Sequence, residues 1–277
     1  MKTYKLTLLG ILALFATGCS SETNEVQDGP KSRMELNAEE EGISEAEIKS
    51  AFILFEGLYS DELSVSDREN VMLSPLSLDL CLGITSNALA ETDRNDIVGK
   101  LGASSATSLN KFNNTRINYF SYNGKKAKVS FANSVWANSL TMESEQDFAS
   151  AMGDIKKYYD AESSVIDFGA NDMKSIINNW CSNKTNGLIP EFLKDEPSIL
   201  TQAMFINAMY FDCQWEEPFE KSATKTNPFY FPNGVQRQGE VEMMFGERFV
   251  PIVETDYYSM FALPYADCNY SAVFVLP

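Results

Sequence analysis

Apolar residues recur at helical spacing through Ile48, Ala51, Phe52, Phe55, Leu58 and Tyr59, and Ser44-Glu-Ala-Glu47 just ahead of them has the form of a capping box. This predicts a helix opening near Ser44, where the folded part begins. Residues 61–69 are a polar break and residues 70–73 read as a short extended segment. Ser74-Pro75 predicts the next helix start, because serine can cap and proline tolerates the first helical position. Leu76, Leu80, Cys81 and Ile84 form the apolar face that follows, and a further helical stretch runs from Thr92 to about Gly102. From Val129 the pattern changes. Residues 129–136 and 165–168 read as strands, 144–159 and 173–182 as helices. Residues 199–211 form a long apolar run that suits a strand covered on both faces. Residues 228–231, 235–245, 248–253, 260–263 and 271–276 then read as β segments. Helices come first and strands dominate later, which predicts a single α+β domain rather than alternating βαβ units.

The chain opens differently. Lys2 and Lys5 precede a short apolar run over residues 6–15, followed by Ala16-Thr17-Gly18-Cys19. The run is too short to span a bilayer, and residues 1–18 read as an export signal. The Ala-Thr-Gly-Cys ending resembles a bacterial lipobox, although leucine usually stands where Ala16 does. It predicts Cys19 as a lipidation site and an outer-membrane or cell-surface lipoprotein facing the periplasm or the extracellular space. Residues 19–43 are polar and acidic, and read as a disordered tether that holds the domain off the membrane.

Composition narrows the chemistry. The 277 residues contain no histidine, so Ser-His-Asp and Cys-His hydrolases lack their general base and common zinc sites lack imidazole. The formal net charge of −17 argues against nucleic-acid binding. Cys19, Cys81, Cys181, Cys213 and Cys268 show no metal-ligand spacing, so neither a metal site nor a cofactor is expected. Cys81 and Cys181 read as core residues. The sequence leaves open whether any pair is bridged.

Several segments, taken in order, resemble the serpins. Asn70-Val71 with Ser74-Pro-x-Ser77 is similar to the family's strand-to-helix junction. Ala88, Thr92 and Ile97 resemble the next helix boundary, with Asn87 where glycine is usual. Ile177-Asn-x-Trp180, continued by Thr185-Asn-Gly187 and Ile189, resembles the helix lying across the main sheet. Ile206-Asn-Ala-Met-Tyr-Phe211, Trp215 and Pro218-Phe219 resemble the central strand and its exit. Met243-Met244, Leu263-Pro-Tyr265 and Val275-Leu-Pro277 resemble the later barrel strands.

The resemblance covers residues 44–277. It implies N-terminal helices packed on a large mixed sheet, with a smaller barrel-like sheet and the closing C-terminal strands missing. It also implies a suicide-trapping inhibitor of extracellular proteases, serine proteases first and cysteine proteases as the alternative, and not an enzyme. In such inhibitors a cleaved bait loop inserts into the main sheet. By resemblance, Ser74, Ser77 and Asn207 belong to the shutter, a polar cluster governing sheet opening, and Trp215 lies at the breach where insertion begins. The reactive loop, and with it the specificity residue, is expected after Pro277. Two other expectations stand beside this one: a non-inhibitory surface lipoprotein that uses the fold as a binding module, and a truncated product without a stable fold.

Overall fold

The computed structural model describes residues 31–63, 71–142, 145–170, 172–230 and 236–277. The export signal, Cys19 and the first part of the expected tether lie outside the described residues, as do Asn70 and the start of the predicted strand at 235.

The latter part of that tether is not one. Asn37 opens helix α1 (Ala38–Leu63). Its Oδ1 accepts hydrogen bonds from the amides of Glu39 and Glu40 at 3.0 and 3.1 Å, and the Glu40 carboxylate accepts from the Asn37 amide at 2.9 Å. This reciprocal box, seven residues ahead of the predicted one, satisfies donors that a helix start otherwise leaves orphaned. Ile43 is fully buried, with Met34 and Leu36 packed against the same cluster. Lys31 is held too: its ammonium donates to the carbonyls of Asn118, Tyr119 and Ser121 at 3.0, 2.8 and 2.7 Å. A few apolar anchors in an acidic stretch thus suffice to order residues 31–43. The predicted apolar face of α1 is a second departure. Ile48, Phe52, Phe55, Leu58 and Tyr59 are exposed among the described residues.

The other helices are α2 (Pro75–Asn87), α3 (Glu91–Lys100), α4 (Ala106–Phe120), α5 (Glu145–Tyr159) and α6 (Met173–Lys184). Helix α3 stops at Gly102, whose φ of +81° suits glycine and where an added Cβ would meet the Gly42 carbonyl at 2.9 Å. Helix α4 has no counterpart in the periodicity reading. Its inward positions include Asn110, Asn113 and Arg116, all buried, so its apolar stripe is broken by polar residues.

The main sheet is mixed. Its centre is β2 (Ala127–Asn138), which pairs along one side with β1 (Tyr122–Asn123), antiparallel, and with β3 (Glu162–Ile166), parallel. Along the other side β2 pairs antiparallel with β4 (Ala203–Cys213), Asn133 standing opposite Asn207. Side chains alternate across the pleat. Phe131, Val135 and Phe205 face α2 and α5, packing with Leu80, Ile84, Met152, Ile155 and Tyr159. Trp136, Ile206 and Ala208 face α6, against Met173, Ile177 and Trp180. The two-sided cover predicted for β4 therefore exists, although most of its residues are only half-buried.

Strands β5 (Lys225–Tyr230) and β6 (Gln236–Met243) form a hairpin, and β7 (Ile252–Glu254), β8 (Ser259–Pro264) and β9 (Ser271–Leu276) an antiparallel sheet. The expected smaller sheet is thus two separate sheets among the described residues. The third is joined to the end of β4 by an antiparallel bridge between Trp215 and Tyr265.

Candidate functional site

The N-terminus of α2 lies under the middle of β4. Ser74 occupies the N-cap position, but its hydroxyl caps no amide. Instead Ser74 Oγ donates to Ser77 Oγ at 2.8 Å and approaches Met209 Sδ at 3.9 Å. On β4, two residues before Met209 and on the same face, Asn207 Nδ2 donates to Asn133 Oδ1 at 2.7 Å. The serine pair and the amide pair therefore sit one pleat repeat apart, about 7 Å along the strand. No direct hydrogen bond joins them among the described residues. Ser74 is exposed and Ser77 half-buried.

Asn207 Oδ1 is buried and has no hydrogen-bond partner among the described residues. An acceptor in that position costs about 1–3 kcal/mol of lost hydration. It lies on β4, which pairs with β2 and with no other described strand.

The amide pair continues into the helices. Asn133 Nδ2 donates to the Tyr159 backbone carbonyl at 2.7 Å. The Tyr159 hydroxyl donates to Asn110 Oδ1 at 2.8 Å and accepts from Asn113 Nδ2 at 2.9 Å. Asn110 exchanges two hydrogen bonds with Asn87 on α2. Arg116 donates to Asn113 Oδ1 and forms an ion pair with Glu47. Burial pushes the Tyr159 phenol above its ordinary range, so the ring stays a neutral donor. Gly83 makes room for it: an added Cβ would lie 2.5 Å from the Tyr159 hydroxyl oxygen.

Asp79, within electrostatic reach of Glu47 and Arg116, is 4% exposed, and its Oδ2 has no hydrogen-bond partner among the described residues. Burial, and then the Glu47 carboxylate, push its carboxyl up to about 6, while Arg116 pulls the other way.

Trp215 lies eight residues beyond Asn207, roughly 25 Å along an extended strand, so the structure does not gather it with the other three. Its indole stacks on Tyr265 at 4.6 Å between centroids, with Phe219 edge-on at 6.1 Å. Phe211 meets Tyr265 and Tyr270 edge-on at 5.2 and 5.4 Å. The cluster bridges the end of β4 and the turn between β8 and β9. Sequence reasoning missed Asn133, Tyr159, Asn110 and Asn113. The available signal was the density of asparagine in residues 110–118 and a lone amide inside the apolar strand at Asn133.

A family model described as serpin (serine protease inhibitor) matches residues 46–277. The chain belongs to the serpin family. Serpin-ZX of Arabidopsis thaliana is 28% identical to this serpin over 224 residues, covering 77% of the chain and 56% of that protein. The probable non-inhibitory serpin-Z5 of the same plant is 28% identical over 215 residues, covering 73% and 48%. The solved native stressed conformation of Arabidopsis AtSerpin1 superposes with a TM-score of 0.74 at 25% identity, covering 88% of this chain and 62% of that one. This serpin thus spans about half the length of the relatives it matches. The α+β, serpin-like architecture expected from the sequence is the one observed.

Proposed function

We propose that this serpin is a protease inhibitor of the suicide-trapping kind, directed first at extracellular serine proteases. Family membership supports inhibition in general terms. The observation that carries the finer reading is the Asn133–Asn207 amide pair beneath β4, with its buried, unpartnered acceptor. The other edge of β4 pairs with no described strand, and a buried polar group beside it favours discrete paired arrangements over intermediate ones. Ser74, Ser77 and Asn207 act in this reading as the shutter and Trp215 as the breach.

Mixing the full-length protein with trypsin-, chymotrypsin- and elastase-like enzymes is expected to give an SDS-stable covalent complex with at least one. Cleavage with no complex, and no rise in thermal stability of the cleaved product, would overturn trapping. That outcome would favour the binding-module reading, which the likeness to a probable non-inhibitory relative supports. Loop insertion releases strain, so a trapping serpin gains stability when cut.

We further propose that Cys19 carries lipid and anchors the protein to the outer membrane or cell surface. Cys19→Ser is expected to move the protein from the membrane fraction to the soluble fraction. Continued membrane association of that variant would sink the anchor.

A further inference from the structure

Cys213 is the last residue of β4, opposite Ala127 of β2. The chain then runs antiparallel to the end of β8. Ala266 donates its amide to the Gln214 carbonyl at 2.8 Å, and Glu216 donates to the Pro264 carbonyl at 3.0 Å. Immediately afterwards Asp267 takes a left-handed φ of 58°. That turn is closed by a hydrogen bond from the Tyr265 amide to the Tyr270 carbonyl at 3.0 Å. It brings Cys268 back over the end of β4. Both cysteines pack against the same cluster of Tyr122, Ala127 and Val129. Both are free thiols, near enough that each bears on the other's ionisation. The backbone on either side of the pair is thus fixed by independent contacts.

We propose that Cys213 and Cys268 are a disulfide-forming site that covalently joins the main sheet to the β7–β9 sheet. The oxidant is a small-molecule or protein disulfide. One thiolate attacks a sulfur of the oxidant, giving a mixed disulfide and releasing one thiol. The second thiolate then displaces the other half as a thiol. Two cysteine thiols and one external disulfide become one internal disulfide and two external thiols, with two electrons passing to the oxidant.

Burial, and then the neighbouring Cys268, push the Cys213 thiol up to about 12. Cys213 is therefore a poor first attacker. The other described cysteines lack such a neighbour. Cys81 points its thiol at the Phe205 carbonyl, 3.4 Å away, and Cys181 is buried on α6. The bond closes a loop of roughly 55 residues, long enough to restrict the unfolded chain substantially. It also staples the end of β4 where Trp215 stacks. The proposal does not depend on inhibitory activity.

The test uses the chain as it stands, incubated with excess oxidised glutathione and digested without reduction. Mass spectrometry is expected to find Cys213 and Cys268 in one linked pair of peptides, with the free-thiol count lower by two. Tm should rise by roughly 5–10 °C and fall back on adding dithiothreitol. Cys213→Ser and Cys268→Ser should each abolish both the link and the rise. Stable glutathione adducts on either residue, links to Cys19, Cys81 or Cys181, disulfide-linked dimers, or unchanged thiols would each overturn the proposal. The linkage is read on the unmutated chain, so a poorly folding variant does not blunt the test.

Discussion

Tyr159→Ala is expected to lower the unfolding free energy by about 3–5 kcal/mol, the range for removing a large buried aromatic side chain. Most domains have only about 5–15 kcal/mol in total, so this variant should be close to unfolding at physiological temperature. Two losses combine. The ring is 1% exposed and packs with Leu80, Ile84, Met152 and Ile155. Its hydroxyl is the partner of two buried asparagines on α4. Tyr159→Phe separates the two, since it keeps the ring, strands Asn113 Nδ2 and takes one of two donors from Asn110 Oδ1. It should cost about 1–3 kcal/mol. Urea unfolding of the three proteins at one pH measures both steps. A Phe variant as stable as the parent would show that the hydroxyl network contributes nothing.

Asp79→Asn is expected to stabilise the protein at pH 8 and to leave it unchanged near pH 4. The folded carboxyl is raised to about 6 from an ordinary 3.8. The folded state therefore holds this proton more tightly than the unfolded chain does. Its contribution is fully present below about 3.8 and is lost as pH rises through about 6. A gap of two units corresponds to roughly 3 kcal/mol. Asparagine is neutral throughout, so the difference between the two proteins should open between pH 4 and pH 7. Thermal melts of both across that range give the comparison directly. A variant less stable than the parent at pH 8 would mean that Arg116, not burial, governs the ionised carboxylate.

Tyr159 and Asp79 lie on helices that periodicity reads, but the polar residues they meet come from α4 and α1, where it reads less well. Helices α2, α5 and α6 were legible because their inward residues are apolar at regular spacing, as in Leu76, Leu80 and Ile84. Helix α4 turns asparagines and an arginine inward, so the same template passes over it. Ile43 was hidden in an acidic stretch because burial of one side chain needs no periodic pattern. The wide apolar face of α1 was legible as a helix, yet the described residues leave it uncovered. Pattern reports what a face can bury, not what stands opposite it. The site shows the same limit. Ser74, Ser77, Asn207 and Trp215 came from ordered motifs, whereas the partner of Asn207 lies 74 residues away in sequence. Only the register of β2 against β4 brings Asn133 to it.

The Lys31 clasp carries a mechanical consequence. Its ammonium grips the last carbonyls of α4, and its own carbonyl accepts a hydrogen bond from Asn269 in the β8–β9 turn. About twelve residues separate it from Cys19, a leash of at most roughly 40 Å when taut. Were Cys19 lipidated as proposed, any pull from the membrane would arrive at Lys31 before it reached the cap of α1. The load is then shared between a helix end and a hairpin in another sheet, and the fold is tugged through two grips instead of being unzipped from its first turn.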